Sequence, residues 1–362
     1  KKSKHSLESF KLNNFFYSII LNYSLHALNS NYYIHNKKDW LYKLFHKNDA
    51  YQTPIVIEPF RNEGNIDVNR QFKLVKSRLL SNLLEKCNDD ESIKNYRKLT
   101  EGQIAKKLEI SINKNKLKNI INETIREQHY ELDFNSFTKS EIENTIKKVF
   151  EIFKIQNIDS NINLKDKYIN LENIAKLYLF KKIILIILRY KHYNNFFDYK
   201  LMTIKEKLLD TLIQEINSDP SHITYKIKQI INFLKYIEFY KEIENFDDQI
   251  LLNSQSSNKI LLDNIADQIH NMMLDANNEN INEFLIPSIF NIEIFMEQEN
   301  SFETLSSGEQ QLIYIINSIL YQIKNISSVV KSGLTQYEDI NIILEEIELY
   351  FHPNMQREFI SK

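Results

Sequence analysis

The stretch from Asn69 to Asn282 constrains the fold most, because it contains a single glycine, Gly102, and a single proline, Pro220. Apolar residues recur in this stretch three and four positions apart among many lysines and glutamates, which is the period of amphipathic helices. A long coiled coil is the natural alternative, but residues 168–197 are apolar on too many sides to keep a heptad seam. We therefore predict a large, packed, all-α helical block over residues 70–282.

Strand patterns lie on both sides of this block. On the amino-terminal side, residues 15–27 alternate between apolar and polar side chains, and a short strand follows in the sequence TPIVIEP. On the carboxy-terminal side, FNIEIFM and INIIL have strand character and are separated by an amphipathic helix. We predict an α/β lobe that is formed by residues 1–69 and 283–362 and interrupted by the helical block as an insertion.

A glycine opens the amphipathic helix near position 308, in a chain that has only four glycines. Ser306 and Glu309 are spaced as a capping box, so the helix is predicted to begin at the two serines with Gly308 in its first turn. The first turn of a helix presents unpaired backbone N–H groups, and a glycine leaves room for an anion beside them. A phosphate can dock at such a position, although a capping box by itself is more typical of an ordinary helix start.

Two adjacent carboxylates, Glu345 and Glu346, follow the apolar strand INIIL. Ligands of open α/β sheets bind beyond the carboxyl ends of the strands. A carboxylate at that place can bind Mg²⁺, and its neighbour can orient a water molecule. Two glutamates after a strand are usually a solvated edge, but their position downstream of the glycine-containing helix favours a functional site.

Both segments are similar to motifs of one protein family. LSSGEQQ, residues 305–311, resembles the signature motif of ABC-type ATPases. INIILEEIELYFHP, residues 340–353, resembles the Walker B strand of the SMC/RecF/OLD-like ATPases within that family. The resemblance implies part of an ABC-type P-loop NTPase lobe, with ATP and Mg²⁺ as its ligands.

The same resemblance implies roles for individual residues. In nucleotide binding, Ser306 and Gly308 would touch the γ-phosphate of an ATP molecule held by an opposing subunit. The other residues of the motif would support its loop; these are Ser307, Glu309 and Gln310. Glu345 takes the position of an aspartate associated with Mg²⁺, and Glu346 takes that of the catalytic carboxylate that orients the attacking water. Gln52, near TPIVIEP, is a weaker candidate for a nucleotide-contacting glutamine. Ile347 stands where the family commonly has proline, so the turn after the two acids is expected to differ.

Two expected parts of such an ATPase are missing from the sequence. It contains no GxxxxGK[ST] P-loop, because its four glycines are scattered far from that spacing. No strand with a switch histidine follows the Walker B segment. Either the P-loop lies upstream of Lys1 in a longer protein, which we favour, or the chain is a degenerate ATPase that presents only a signature face.

The function implied by the resemblance is a switch driven by ATP. Two copies would form a homodimer with ATP between their signature helices, as in ATPases of bacterial anti-phage defence that control a nuclease or toxin effector. A DNA-repair or chromosome-maintenance ATPase and a non-hydrolysing scaffold remain as alternatives. An OLD-type nuclease is a further variant, and it would require an acidic metal-binding domain beyond Lys362.

Composition limits the surroundings and partners of the protein. The formal net charge of −2 gives no overall basic field, so contact with nucleic acid, which stays possible, needs a local basic patch. The single cysteine, Cys87, and the lack of a signal-peptide pattern favour the cytoplasm. The longest apolar run, residues 177–188, is broken by two lysines and is too short for a membrane span, so we expect no membrane contact.

Overall fold

The computed structural model shows a mixed α/β protein. It describes residues 15–24, 27–29, 34–35, 38–39, 41–45, 51–62, 64–85, 95–100, 102–113, 116, 124–127, 130–156, 158–164, 170–244, 246, 258–329, 335–349 and 351–359. Cys87 lies outside these ranges.

Strands and helices are numbered here in chain order. The strands are β1 (Tyr17–Asn22), β2 (Ile34–His35), β3 (Lys38–Asp39), β4 (Ile55–Glu58), β5 (Arg61–Asn62), β6 (Asn65–Ile66), β7 (Lys98–Thr100), β8 (Gln103–Ile112), β9 (Thr124–Glu127), β10 (Tyr130–Asp133), β11 (Phe197–Asp198), β12 (Thr203–Ile204), β13 (Asn258–Leu261), β14 (Phe290–Met296) and β15 (Ile340–Glu345). The helices are α1 (Val68–Leu83), α2 (Lys139–Phe153), α3 (Leu171–Arg189), α4 (Leu209–Ser218), α5 (Tyr225–Lys235), α6 (Ile237–Lys241), α7 (Leu262–Ala276), α8 (Ser307–Ser327) and α9 (Pro353–Glu358).

The chain divides into two compact units. The first unit is made of residues 1–78, 220–222 and 305–362, and the second of residues 79–219 and 223–304. The sequence placed the insertion at residues 70–282, whereas the second unit reaches residue 304 and therefore includes β14.

The first unit contains a three-stranded parallel sheet in the order β15–β1–β4. Tyr17 pairs with Ile340 and Asn22 with Glu345, so β1 and β15 run side by side over their whole length. Leu21 pairs with Glu58 of β4. Because all three strands run in the same direction, their carboxyl ends lie at one edge of the sheet.

Apolar side chains cover this sheet on both faces near β1. Tyr17, Ile19 and Leu21 point to one face and share a buried cluster with Leu312 and Ile315 of α8. On the other face, Ile57 of β4 packs in a separate buried cluster that also contains Leu41 and Phe45, with Ile20 packed against it. All six residues of β1 are buried or partly buried, as expected for a parallel strand that is covered on both faces.

The second unit combines helices with antiparallel strands. Its main sheet has the order β13–β8–β14, and β7 pairs with β8 as well. Helix α3 packs against α5 and is buried on nearly all sides, as its apolar sequence predicted. Within the part of the chain that the structure describes, no helix combines the length and the apolar content that crossing a membrane takes.

The prediction of an all-α insertion was wrong. The region from 70 to 282 contains the ten-residue strand β8, the hairpin β9–β10 and strand β13 in addition to its helices. Along β8 the buried residues Ala105, Leu108, Ile110 and Ile112 leave the side chains between them more exposed. This short alternation was overlooked among the helical segments around it. Strand β14, in contrast, confirms the predicted strand FNIEIFM with the same bounds.

Candidate functional site

The carboxyl edge of the parallel sheet brings three polar side chains to one place. Asn22 ends β1, Glu58 ends β4 and Glu345 ends β15. Asn22 and Glu345 are paired residues in the sheet, and Glu58 pairs with the residue before Asn22. Parallel pairing therefore sets these three groups beside one another at the edge where α/β sheets bind ligands.

Asn22 is the buried centre of this edge. Its Nδ2 donates a hydrogen bond to Oε2 of Glu345. Its Oδ1 accepts from the backbone N–H of Ser24 at 3.0 Å and from the guanidinium of Arg61 at 3.0 Å. One amide thus joins a carboxylate to a cation, and it fixes the orientation of the Glu345 side chain.

Arg61 brings a positive charge into the same edge, and its side chain is almost completely buried, with 1% exposed. The guanidinium donates to the carbonyl oxygens of Asn22 at 2.7 Å, Ala27 at 3.1 Å and Gly64 at 3.4 Å. Burial lowers the pKa of Arg61, while the nearby Glu345 carboxylate opposes that shift. The backbone of Gly64 has a φ of 89°, so this carbonyl comes from a turn that glycine adopts without strain.

A second polar network connects the end of β4 with α1 and α8. Glu58 forms a buried ion pair with Arg78 of α1 at 2.9 Å and accepts from Nε2 of Gln322 at 2.6 Å. Arg78 also donates to Oγ of Ser318 at 2.9 Å, and its guanidinium lies 4.4 Å from the ring centre of Tyr321. Burial opposes the charge of Arg78, but the Glu58 carboxylate together with Tyr321 and Tyr51 outweighs it, so the pKa of Arg78 is raised. This network holds α8 against the sheet.

Glu346 follows β15 in an unusual backbone conformation. Its φ is 50°, in the left-handed region, which costs about 1 kcal/mol or more for a residue other than glycine. The next residue, Ile347, is buried in the apolar cluster of the first unit, so packing holds the turn in place. Glu345 and Glu346 are both exposed. The turn therefore presents two accessible carboxylates from a strained but anchored backbone.

Helix α8 begins as the sequence predicted. Ser306 is its N-cap, and the capping box with Glu309 is complete: the backbone N–H of Ser306 donates to the Glu309 carboxylate at 3.0 Å, and the N–H of Glu309 donates to Oγ of Ser306 at 3.3 Å. Ser306 and Ser307 are exposed, whereas Gly308 is buried. Because the capping box uses the Ser306 and Glu309 amides, the backbone N–H groups of Ser307 and Gly308 are the ones left for an anion. Nε2 of Gln310 donates to the carbonyl of Leu305 at 3.0 Å and supports the turn before the helix.

The first part of α8 lies on the side of the sheet where the carboxylates are. Tyr23, the residue after Asn22, packs against the buried cluster that contains Leu312 and Ile315 of α8. Burial, with a smaller contribution from Glu58, raises the pKa of the Tyr23 hydroxyl. This packing brings the first turns of α8 close to the carboxyl end of β1.

Gln52 does not join this site. It precedes β4, so it lies at the amino-terminal edge of the parallel sheet, opposite to Glu345. Its Oε1 accepts from the backbone N–H of Thr335 at 2.7 Å, and the hydroxyl of Tyr337 donates to its carbonyl at 3.1 Å. In this structure Gln52 fixes the chain that enters β15.

The residues after the acids have structural contacts of their own. His352 is the N-cap of α9, and its Nδ1 accepts from the backbone N–H of Asn354 at 3.4 Å. The carbonyl of Glu348 accepts from the N–H of Phe351 at 2.8 Å. His352 therefore caps and positions the following helix.

Sequence reasoning missed Asn22, Glu58, Arg61 and Arg78. Each of them occurs in a segment with no motif around it. The one available signal was that Glu58 ends a predicted strand, as Glu345 does, so parallel pairing would have placed both at one edge.

The donor set suits a magnesium ion that is held mainly by water and phosphate. Mg²⁺ prefers hard oxygen ligands and is commonly bound by one or two carboxylates together with substrate phosphates. Glu345 offers an exposed carboxylate with one oxygen held by Asn22. Within the described ranges, no group of three or more His, Cys, Asp or Glu side chains could hold a metal by itself.

Comparison with protein-family models, with curated proteins and with solved structures gave no match. The assignment of a function therefore depends on the residues and on their geometry.

Proposed function

We propose that the chain is part of an ABC-type ATPase that uses ATP binding and hydrolysis to switch a dimer between closed and open states. The observation that carries this proposal is the carboxyl edge of the parallel sheet, where Glu345 is held by Asn22 and Glu346 projects from a strained turn. A strand that ends in two accessible acids beside a buried arginine suits phosphoryl-transfer chemistry better than a purely structural edge.

In this reaction, water attacks the γ-phosphorus of ATP, the bond to the β-phosphate oxygen breaks, and ADP and phosphate leave. Glu346 orients the water and accepts its proton. Glu345 is the residue that would hold Mg²⁺, which would supply charge neutralisation for the phosphates of ATP. Asn22 keeps the Glu345 carboxylate in position, and Arg61 holds Asn22.

The homodimer follows from the different roles of the two motifs, since the start of α8 contacts phosphate and the end of β15 supplies the carboxylates. Helix α8 offers the exposed Ser306 and Ser307, with the amides of Ser307 and Gly308, but no lysine cradle for phosphates. It is therefore assigned to the γ-phosphate of an ATP molecule held by the opposite copy. Hydrolysis removes the group that bridges the two copies and reopens the dimer.

The biological setting that agrees with the resemblance of both motifs is cytoplasmic anti-phage defence in bacteria, with a nuclease or toxin as the effector that the switch controls. An ATPase of this kind needs a P-loop, and the 362 residues contain none. The proposal therefore requires a P-loop outside these residues, so its test is made on a polypeptide that carries one.

The test compares Glu346→Gln with Glu348→Gln. Glu346→Gln is expected to abolish ATP turnover while ATP binding is kept, and to accumulate an ATP-bound dimer in size-exclusion chromatography with light scattering. Glu348→Gln is the matched control, because Glu348 is exposed in the same turn and undergoes the same loss of charge. Unchanged turnover in Glu346→Gln, or an equal loss in both variants, would remove Glu346 from the catalytic role.

A further inference from the structure

A cavity opens in the second unit where three helices end. Its volume is about 230 Å³, and it is lined by residues from the carboxyl ends of α2, α5 and α7 and from the short helix α6. Four aliphatic side chains form its apolar wall: Ile155, Ile158, Leu234 and Ile237. An engineered cavity of about 150 Å³ in another protein holds a benzene molecule, so this cavity has room for an apolar group with a small polar head.

The buried Tyr236 joins opposite charges at the wall of this cavity. The Nζ of Lys235 lies 5.1 Å from the centre of the Tyr236 ring, and the Tyr236 hydroxyl donates to a carboxylate oxygen of Asp275 at 2.8 Å. Burial and the Asp275 carboxylate raise the pKa of Tyr236, so its hydroxyl remains a donor. An ammonium and a carboxylate thus reach the same aromatic side chain, but they form no ion pair with each other.

A second ammonium, that of Lys154, lines the same cavity. Lys154 follows α2 with a φ of 58°, and its side chain is exposed. Among the residues that the structure describes, no carboxylate pairs with Lys154 or with Lys235, whereas Glu238 at the same cavity pairs with Lys241 at 2.8 Å. The charges that a ligand can use are therefore two ammonium groups and the exposed carboxylate of Asp275.

These charges select the class of ligand. The carboxyl end of a helix carries a partial negative charge, and three such ends lie at the cavity, so a simple anion gains little from the two lysines. A zwitterion has an ammonium and a carboxylate close together, and it can bond to Asp275 and to the lysines at the same time. An apolar side chain on that zwitterion covers the aliphatic wall, which releases water from apolar surface.

We propose that this cavity binds a free α-amino acid with a large apolar side chain, such as leucine. Its carboxylate accepts from Lys154 and Lys235, its ammonium donates to Asp275, and its side chain packs on Ile155 and Ile158, which line the cavity. All of these residues lie in the second unit, so the site is independent of the ATPase chemistry proposed for the first.

The experiment titrates the full chain with L-leucine and follows binding by ligand-detected NMR. A ligand of about nine non-hydrogen atoms is expected to bind with a Kd of about 1 mM. Two analogues with the same branched chain test the charges: 4-methylpentanoate lacks the ammonium, and 3-methylbutylamine lacks the carboxylate. Each is expected to bind about tenfold more weakly than L-leucine, because it leaves one of the charged sides of the cavity without a partner.

Two variants separate the charges. Asp275→Asn should weaken L-leucine binding about fivefold and leave 4-methylpentanoate binding unchanged, since the amide oxygen still accepts from Tyr236 but carries no charge. Lys154→Asn should weaken the binding of both probes about fivefold, and asparagine tolerates the left-handed backbone at this position. Lys147→Gln is the matched control and should stay within about twofold, because Lys147 is an exposed lysine of α2 that does not line the cavity.

Several results would overturn this proposal. One is L-leucine binding that stays undetectable up to about 10 mM. Equal affinity for L-leucine and 4-methylpentanoate would identify the ligand as an organic monoanion, and an equal loss of affinity in Lys147→Gln would reveal a nonspecific effect of charge. If Asp275→Asn weakens the binding of all three probes alike, Asp275 acts only through the packing of Tyr236, and its bond to the ligand ammonium is excluded.

Discussion

Removal of the Arg78 guanidinium is expected to destabilise the first unit strongly. Arg78→Met keeps much of the side-chain volume but breaks the ion pair with Glu58 at 2.9 Å, the bond to Ser318 at 2.9 Å and the contact with the Tyr321 ring at 4.4 Å. It leaves the Glu58 carboxylate buried, with Gln322 as a remaining donor. An uncompensated buried charge of this kind costs about 3–5 kcal/mol.

The double variant Glu58→Gln/Arg78→Met separates the cost of the unpaired charge from the value of the network. With both charges gone, we expect the loss of stability to be only about 1–2 kcal/mol, because a neutral amide can still accept from Gln322 and methionine fills the space. The two single changes should therefore be non-additive, with a coupling of about 2 kcal/mol or more.

The assay has to report on the first unit alone, since the chain has two compact units. Hydrogen exchange of peptides from β4 and α8, followed by mass spectrometry at increasing urea, gives the local free energy of opening. Arg357→Met, which changes an exposed arginine of α9 in the same unit, is the control and should change stability by less than about 0.5 kcal/mol. Additive effects, or a loss below about 1 kcal/mol in Arg78→Met, would refute the view that this ion pair holds α8 to the sheet.

Three further changes test other features. Ser306→Ala should destabilise the start of α8 by about 1 kcal/mol in hydrogen exchange, because it removes the capping hydroxyl, while Ser307→Ala should have little effect. Lys182→Met should stabilise the second unit by about 1 kcal/mol at neutral pH in urea denaturation. Because the pKa of Lys182 is lowered in the folded protein, the charged lysine destabilises the folded state fully at pH values below that pKa. This destabilisation disappears as the pH rises past the unfolded pKa of about 10.4, so the stability gained by Lys182→Met must shrink in alkaline buffer. A stability gain that does not change with pH would contradict this explanation. Ile343→Lys should reduce self-association in sedimentation velocity, because β15 has an outer edge that pairs with no described strand. Three apolar residues of this strand are exposed: Ile342 by 43%, Ile343 by 47% and Leu344 by 42%. An equal effect of Ile316→Lys, which changes an exposed residue of a helix, would count against a contact through the strand edge.

The start of α8 could be predicted from the sequence because a capping box is local. Ser306 and Glu309 are three positions apart, and the bonds that define the helix start form between them. The same holds for β14 and β15, where short apolar patterns within one segment were sufficient. Local signals of this kind do not depend on what the segment packs against.

Strand β8 could not be predicted in the same way. Its alternation is short and contains charged residues, and it becomes a strand by pairing with β13 and β14, which are more than a hundred residues away in the chain. Tertiary pairing of this kind overrides the preference that is read from neighbouring residues.

The candidate site was predictable only in part, for a related reason. Glu345 and Glu346 follow a recognisable strand, but Asn22, which bonds Glu345, comes from β1, and Arg61, which bonds Asn22, comes from β5. Asn22 and Arg61 meet there because of the register between parallel strands, which no local pattern encodes.

The central claim is that the start of α8 in one copy completes the ATP site that uses Glu346 of the other copy. Ser307→Asp tests the first half, since an acid in the first turn of a helix is favourable for folding but repels a phosphate at that position. The two defective full-length polypeptides, Ser307→Asp and Glu346→Gln, are mixed in equal amounts, and ATP turnover is measured.

If each site combines α8 of one copy with Glu346 of the other, about half of all dimers contain one copy of each variant, and each of these has one intact site, so turnover returns to about a quarter of the wild-type value. If both motifs act within the same copy, no intact site forms and turnover stays at the level of the separate variants. That absence of recovery, in variants that each fold and dimerise, would contradict the account.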